Sequence, residues 1–107
     1  MDFTDILEKM LAAAKSAAGA HWNDVRDYLG REFAQAEEEA KEIALEVVNQ
    51  VKTPAQAEIE MQAIKDSLRD VRLALTVDAK AAAQDAINAA LAVLASAVNS
   101  AAKVPIF

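Results

Sequence analysis

The stretch Lys52-Thr53-Pro54-Ala55-Gln56, near the middle of the 107-residue chain, separates two helical regions. Thr53 is typical of a helix N-cap, and Pro54 of the first helical residue, where the missing N–H costs nothing. Gln56 falls at the third helical position and can complete a capping box with Thr53. Because proline also disfavours helix at the residue before it, we predict that one helix ends near residue 51 and another begins near residue 54.

Upstream of this stretch, apolar residues recur every eleven positions and form one narrow stripe. An eleven-residue repeat has about 3.67 residues per turn, which favours nearly straight or slightly right-handed packing. No proline interrupts the stripe, and neither Gly19 nor Gly30 shifts its phase. We therefore predict one continuous helix over about residues 3–51, with a kink or short break at Gly30 as the alternative. The three series are Phe3, Ala14, Val25, Ala36 and Val47; Leu7, Ala18, Leu29, Ala40 and Val51; and Leu11, Trp22, Phe33 and Ala44.

Downstream, a second helix is predicted over about residues 54–103, before the apolar tail Val104-Pro105-Ile106-Phe107. Its apolar stripe rotates by about 100° midway when a single helical period is applied throughout. The shift falls at Thr76-Val77-Asp78, where Asp78 could cap a separate third helix. The stripe comprises Ile64, Leu68, Val71 and Leu75 before the shift, and Ile87, Leu91, Leu94 and Val98 after it.

These patterns predict an all-α fold in which residues 1–107 form a single helical-hairpin domain. The short connection favours antiparallel helices. Alanines line the seam between the two helices. The rotated stripe of larger residues faces away from this seam, so a second chain would be needed to bury it. We therefore expect a homodimer that forms a four-helix bundle, and the predicted interface residues are Trp22, Ile87, Leu91, Leu94 and Val98.

The composition excludes several classes of function. With 11 lysines and arginines against 17 aspartates and glutamates, the net charge is −6. Nucleic acids and anionic membranes are therefore poor candidate partners. The absence of cysteine excludes disulfides and thiolate sites, and the longest apolar run near the C-terminus, residues 89–95, is too short to span a membrane. The acidic N-terminus lacks the basic region of a signal peptide, so we expect a cytoplasmic protein.

One polar cluster is a candidate metal site. In an antiparallel hairpin His21 would lie near Asp85, and Glu32 and Glu39 would lie on the same flank. The architecture is similar to that of two-helix ferritin-like proteins, which dimerise to form carboxylate–histidine sites. That class uses a Glu-x-x-His motif, which is absent here. The favoured interpretation is that these side chains border an interface and form only local hydrogen bonds, and no cofactor is predicted.

The sequence therefore favours a non-enzymatic helical assembly or adaptor protein that acts as a homo-oligomer. A dimeric, ferritin-like metal-binding protein is the main alternative. A third is a surfactant-like protein that coats a lipid or polymer surface, since alanine-rich phasin-type proteins are similar in composition. The tail Val104–Phe107 either folds back over the end of the bundle or docks into a partner protein.

Overall fold

A computed structural model describes residues 5–107 as an arrangement of helices, with no strand in that range. Phe3 of the predicted stripe lies outside the described residues, as do Asp2 and Thr4, either of which could cap the predicted first helix. A 3-10 turn, Gly19–His21, joins the first two helices. The four α-helices are α1 (Ile6–Ala18), α2 (Trp22–Val48), α3 (Pro54–Arg69) and α4 (Val77–Ala102).

Helices α2 and α4 form a central pair, and the other two helices flank it. Helix α1 packs most extensively on α4, and α3 packs mainly on α2. Within the described residues, α1 and α3 do not contact each other. The bundle measures 44 × 23 × 18 Å, so its length is close to that of α2 or α4 alone.

Contacts at the two ends of the bundle give the helix directions. At one end, Ile6 of α1 lies beside Ser100 of α4, and Val47 of α2 lies beside Val104. At the other end, the Tyr28 hydroxyl accepts a hydrogen bond from the Arg72 backbone N–H at 3.1 Å. Helices α1 and α3 therefore run opposite to α2 and α4.

The predicted continuous helix over residues 3–51 is wrong, because the chain reverses at Gly19. This residue has φ 58° and ψ −126°, a conformation that side chains with a Cβ rarely adopt. A straight helix over residues 6–48 would be about 63 Å long, which exceeds the 44 Å length of the bundle. Helices α1 and α2 both turn their apolar face to one core, so a stripe that keeps its phase does not require one continuous helix. Gly30, where the alternative interpretation placed a kink or short break, lies inside α2.

The predicted start of α3 is confirmed. The Thr53 hydroxyl accepts a hydrogen bond from the Gln56 backbone N–H at 3.2 Å, and the Gln56 side-chain oxygen accepts one from the Thr53 N–H at 3.0 Å. Both hydrogen bonds of the capping box are present, with Pro54 as the first helical residue.

The predicted single helix over residues 54–103 is also wrong. Helix α3 ends at Arg69 and α4 begins at Val77, so the break falls where the apolar stripe rotates. The cap is Thr76, whose hydroxyl accepts from the Ala79 N–H at 3.2 Å, and not Asp78. On one straight helix the two stripes could not face one core, whereas a change of direction between them allows both to be buried.

The apolar face assigned from sequence to a dimer lies inside the chain. Ile87, Leu94 and Val98 are fully buried, and Leu91 is 5% exposed. They belong to one core together with Met10 of α1. A single chain thus supplies four helices, and within the described residues no polar or charged residue is buried.

Candidate interaction site

A groove of about 370 Å³ lies between α2 and α3. Ile43 and Ile64 form its floor, and Ala63 adds a small side chain. The acidic residues on its α2 rim, Glu39, Glu42 and Glu46, are spaced three and four positions apart, so a single face of α2 presents them. A smaller cleft lined by Glu32, Glu39 and Ser67 continues the groove towards the start of α2.

Lys52 crosses one end of this groove. Its ammonium group forms ion pairs with Glu60 of α3 and with Glu46 of α2, the latter at 3.3 Å. The hydrogen bond to Glu60, followed by the interactions with Glu46, raises the pKa of Lys52 above its ordinary value despite partial burial, which acts in the opposite direction. The lysine therefore stays charged and links α2 to α3 beside the segment that connects them.

Most of the net charge of the protein lies in the part of the chain that contains the α2 residues of the groove, the α2–α3 connection and the start of α3. Residues 31–60 contain eight carboxylates and three cations, which gives −5 of the total of −6. The connection between the helices is itself ordered by backbone hydrogen bonds, because the N–H groups of Val51 and Lys52 both donate to the Glu46 carbonyl. The groove thus has a defined shape and a concentrated negative potential.

A second surface, which we name the apolar end, comprises Val47, Val48, Val51, Pro54 and Val104. Val47, Val51, Pro54 and Val104 line a cleft of about 380 Å³, together with polar groups of the α2–α3 connection. Val51 is 73% exposed and Val48 is 52% exposed. Exposed apolar side chains gathered at one site are typical of contact surfaces rather than of a solvated loop.

The tail beside this end folds back onto the bundle. The Asn99 side-chain oxygen accepts hydrogen bonds from the backbone N–H groups of Ile106 and Phe107, at 2.9 and 3.0 Å. Ile106 is 2% exposed, and the Lys65 ammonium lies 4.9 Å from the centre of the Phe107 ring. A partner that takes up the tail would have to displace these contacts.

The candidate metal ligands do not converge in the part of the chain that the structure describes. The Nδ1 atom of His21 lies 3.3 Å from an Asp24 carboxylate oxygen, one turn away. Glu32 and Glu39 line the α2–α3 side, and Asp85 is exposed on α4. Among residues 5–107, no three histidine, aspartate or glutamate side chains form a group suited to a metal ion. Trp22, a predicted interface residue, is half-buried against the core at the start of α2.

The sequence interpretation missed the groove residues Glu42, Lys52, Glu60, Ala63 and Ser67. It considered Glu32 and Glu39 only as candidate metal ligands, although the antiparallel hairpin correctly places the segment that forms α2 beside the segment that forms α3. A usable signal was present: Glu60, Ala63 and Ser67 are spaced three and four residues apart and so lie on one face of a helix.

Comparison with protein-family models, curated proteins and solved structures finds no match to this chain. Helix α4 is long and apolar enough to cross a membrane by length and composition. This is weak support for a membrane role, because core helices meet the same criterion and much of α4 is buried against its neighbours.

Proposed function

We propose that this protein is a non-enzymatic helical assembly or adaptor protein that acts as a homo-oligomer. The observation that carries the proposal is the apolar end, where Val48 and Val51 are exposed beside a cleft lined by further apolar residues. A surface of this kind is costly to leave in water, and a second copy can cover it in a symmetric contact.

The site geometry favours binding over catalysis. The groove and the apolar end are open surface features, and the ion pairs of Lys52 tie helices together. The proposed contact differs from the one that the sequence suggested, since Ile87, Leu94 and Val98 already pack within the chain. Assembly through the apolar end would leave the four-helix core unchanged.

The test is the molar mass in solution, measured by light scattering over a range of concentrations. We expect a dimer or a larger assembly of the 11.4 kDa chain. The double variant V48K/V51K should shift the protein towards monomer without loss of helix content. The matched control is Val77→Lys, because Val77 is 85% exposed at the opposite end of the bundle. A wild-type protein that is monomeric at all concentrations would contradict the proposal, as would equal effects of V48K/V51K and Val77→Lys.

A further inference from the structure

We propose that the α2–α3 groove binds a basic, amphipathic helix from a different protein. The groove lies between two packed helices, with an apolar floor at Ile43 and Ile64 and carboxylates mainly along its α2 rim. A helix laid there would place apolar or small side chains against the floor, in the helix-in-groove mode of recognition.

The length of the surface fits such an occupant. On α2, the lining residues extend from Glu32 to Glu46, a rise of about 21 Å or four helical turns. On α3, Ala63 and Ser67 are small and exposed, so a neighbouring backbone can approach closely. The bound helix would pack against α2 and α3 from the side that the rest of the bundle leaves open.

Charge identifies the class of partner. Residues 31–60 carry a net charge of −5, and most of the lining carboxylates lie on α2, so lysine or arginine side chains on the edge of a bound helix that faces α2 would be attracted. The rest of the chain has eight cations and nine carboxylates, which leaves it nearly neutral. A second copy therefore lacks the complementary charge, and the occupant is a segment of another protein.

The rim carboxylates have different roles in this proposal. Glu46 and Glu60 are held by Lys52 at one end of the groove. Glu39 accepts a hydrogen bond only from Gln35 on its own helix among the described contacts, and Glu42 lies exposed one turn further on. Glu39 and Glu42 are thus placed to pair with basic side chains of the partner.

The experiment uses a fluorescent peptide of about 15 residues, with leucine and alanine on one helical face and lysine on the other, and follows its anisotropy. We expect saturable binding to the full-length protein that weakens as salt is added. A peptide with glutamate in place of lysine should not bind. A peptide of the same composition, with its sequence scrambled to remove the apolar face, should bind at least about tenfold more weakly. No saturable binding of the basic peptide, or equal binding of either control peptide, would overturn the proposal.

Two pairs of variants locate the site. E39K/E42K reverses charges in the groove and should weaken binding by about tenfold or more, whereas E38K/E58K makes the same change in net charge outside the lining residues and should change it by less than about threefold. Ala63→Trp should block the groove, while Ala55→Trp, on the same helix but outside the lining, should not. Equal losses within either pair would show that binding is not in the groove.

The inference does not depend on self-association. V48K/V51K, which tests the apolar end, should leave peptide affinity unchanged, and E39K/E42K should leave the oligomeric mass unchanged. A failure of one proposal is thereby distinguished from a failure of the other.

Discussion

The two flanks of the central α2–α4 pair differ in the charge of the side chains that line their surface grooves. On the α1 flank, the groove beside α4 is lined by small or neutral side chains, among them Ala92, Ser96 and Ala97, and Lys9 is the one charged lining residue among residues 5–107. On the α3 flank, the rims carry several carboxylates. The core beneath both flanks is entirely apolar, so the charges on the α3 flank are not required for burial. Both flanks thus contribute to the core, and the α3 flank in addition carries the carboxylates to which we assign partner binding.

The largest expected effect tests whether the α1 flank is structural. Met10→Ala removes a fully buried side chain from α1 and should lower the free energy of unfolding by about 2–5 kcal/mol. Ser67→Ala on the α3 flank should change it by less than about 0.5 kcal/mol, because Ser67 is exposed. Urea unfolding measures both values, and similar losses for the two variants would remove the contrast between the flanks.

The next test concerns the turn that brings α1 back along the bundle. Gly19→Ala forces a Cβ into a backbone conformation with positive φ and should cost about 1–3 kcal/mol, although no atom lies within 4 Å of the added carbon. Gly30→Ala, inside α2 and equally free of contacts, should instead stabilise by about 0.5–1 kcal/mol. Thermal unfolding of the two variants should therefore shift in opposite directions. If both substitutions stabilised the protein, the result would support the continuous helix that was predicted from the sequence.

A smaller effect is expected where the α3 flank begins. Thr53→Ala removes the hydroxyl of the capping box and should lower the free energy of unfolding by about 1 kcal/mol. Thr53→Ser keeps the oxygen and should retain most of the stability. If calorimetry shows that alanine and serine behave alike, the cap has no role in fixing the start of α3.

The smallest expected effect is the pH dependence of the Lys52 ion pairs. Because folding raises the pKa of Lys52, its contribution is fully present below the ordinary lysine pKa and is lost as the pH rises through the raised value. The wild-type protein should therefore lose more stability in strongly alkaline solution than Lys52→Met. Exposed Lys41 supplies the control, since Lys41→Met should follow the wild-type pH profile.

The comparison of the flanks also explains what the sequence could predict. The Thr53 capping box is a local signal, complete within four residues, and it was predicted correctly. The break before α4 coincides with a rotation of the apolar stripe, which is visible in the sequence. The residue that caps α4 is Thr76 and not Asp78. The reversal at Gly19 left no such trace, because both helices face one core and the stripe keeps its phase. The predicted hairpin also pairs the segments that form α2 and α3, but this pairing does not give the shape of the surface between them, so the groove was not predicted.

The central claim is that one chain folds back at Gly19 and completes the four-helix bundle by itself. The absence of cysteine allows spin labels to be placed at two exposed positions through the variant E8C/E38C. Labelled protein diluted with unlabelled protein then reports only distances within one chain, measured by pulsed electron resonance. The account predicts a separation below about 25 Å, because α1 returns alongside α2. A separation near 45 Å, the rise of about 30 residues in a straight helix, would contradict it.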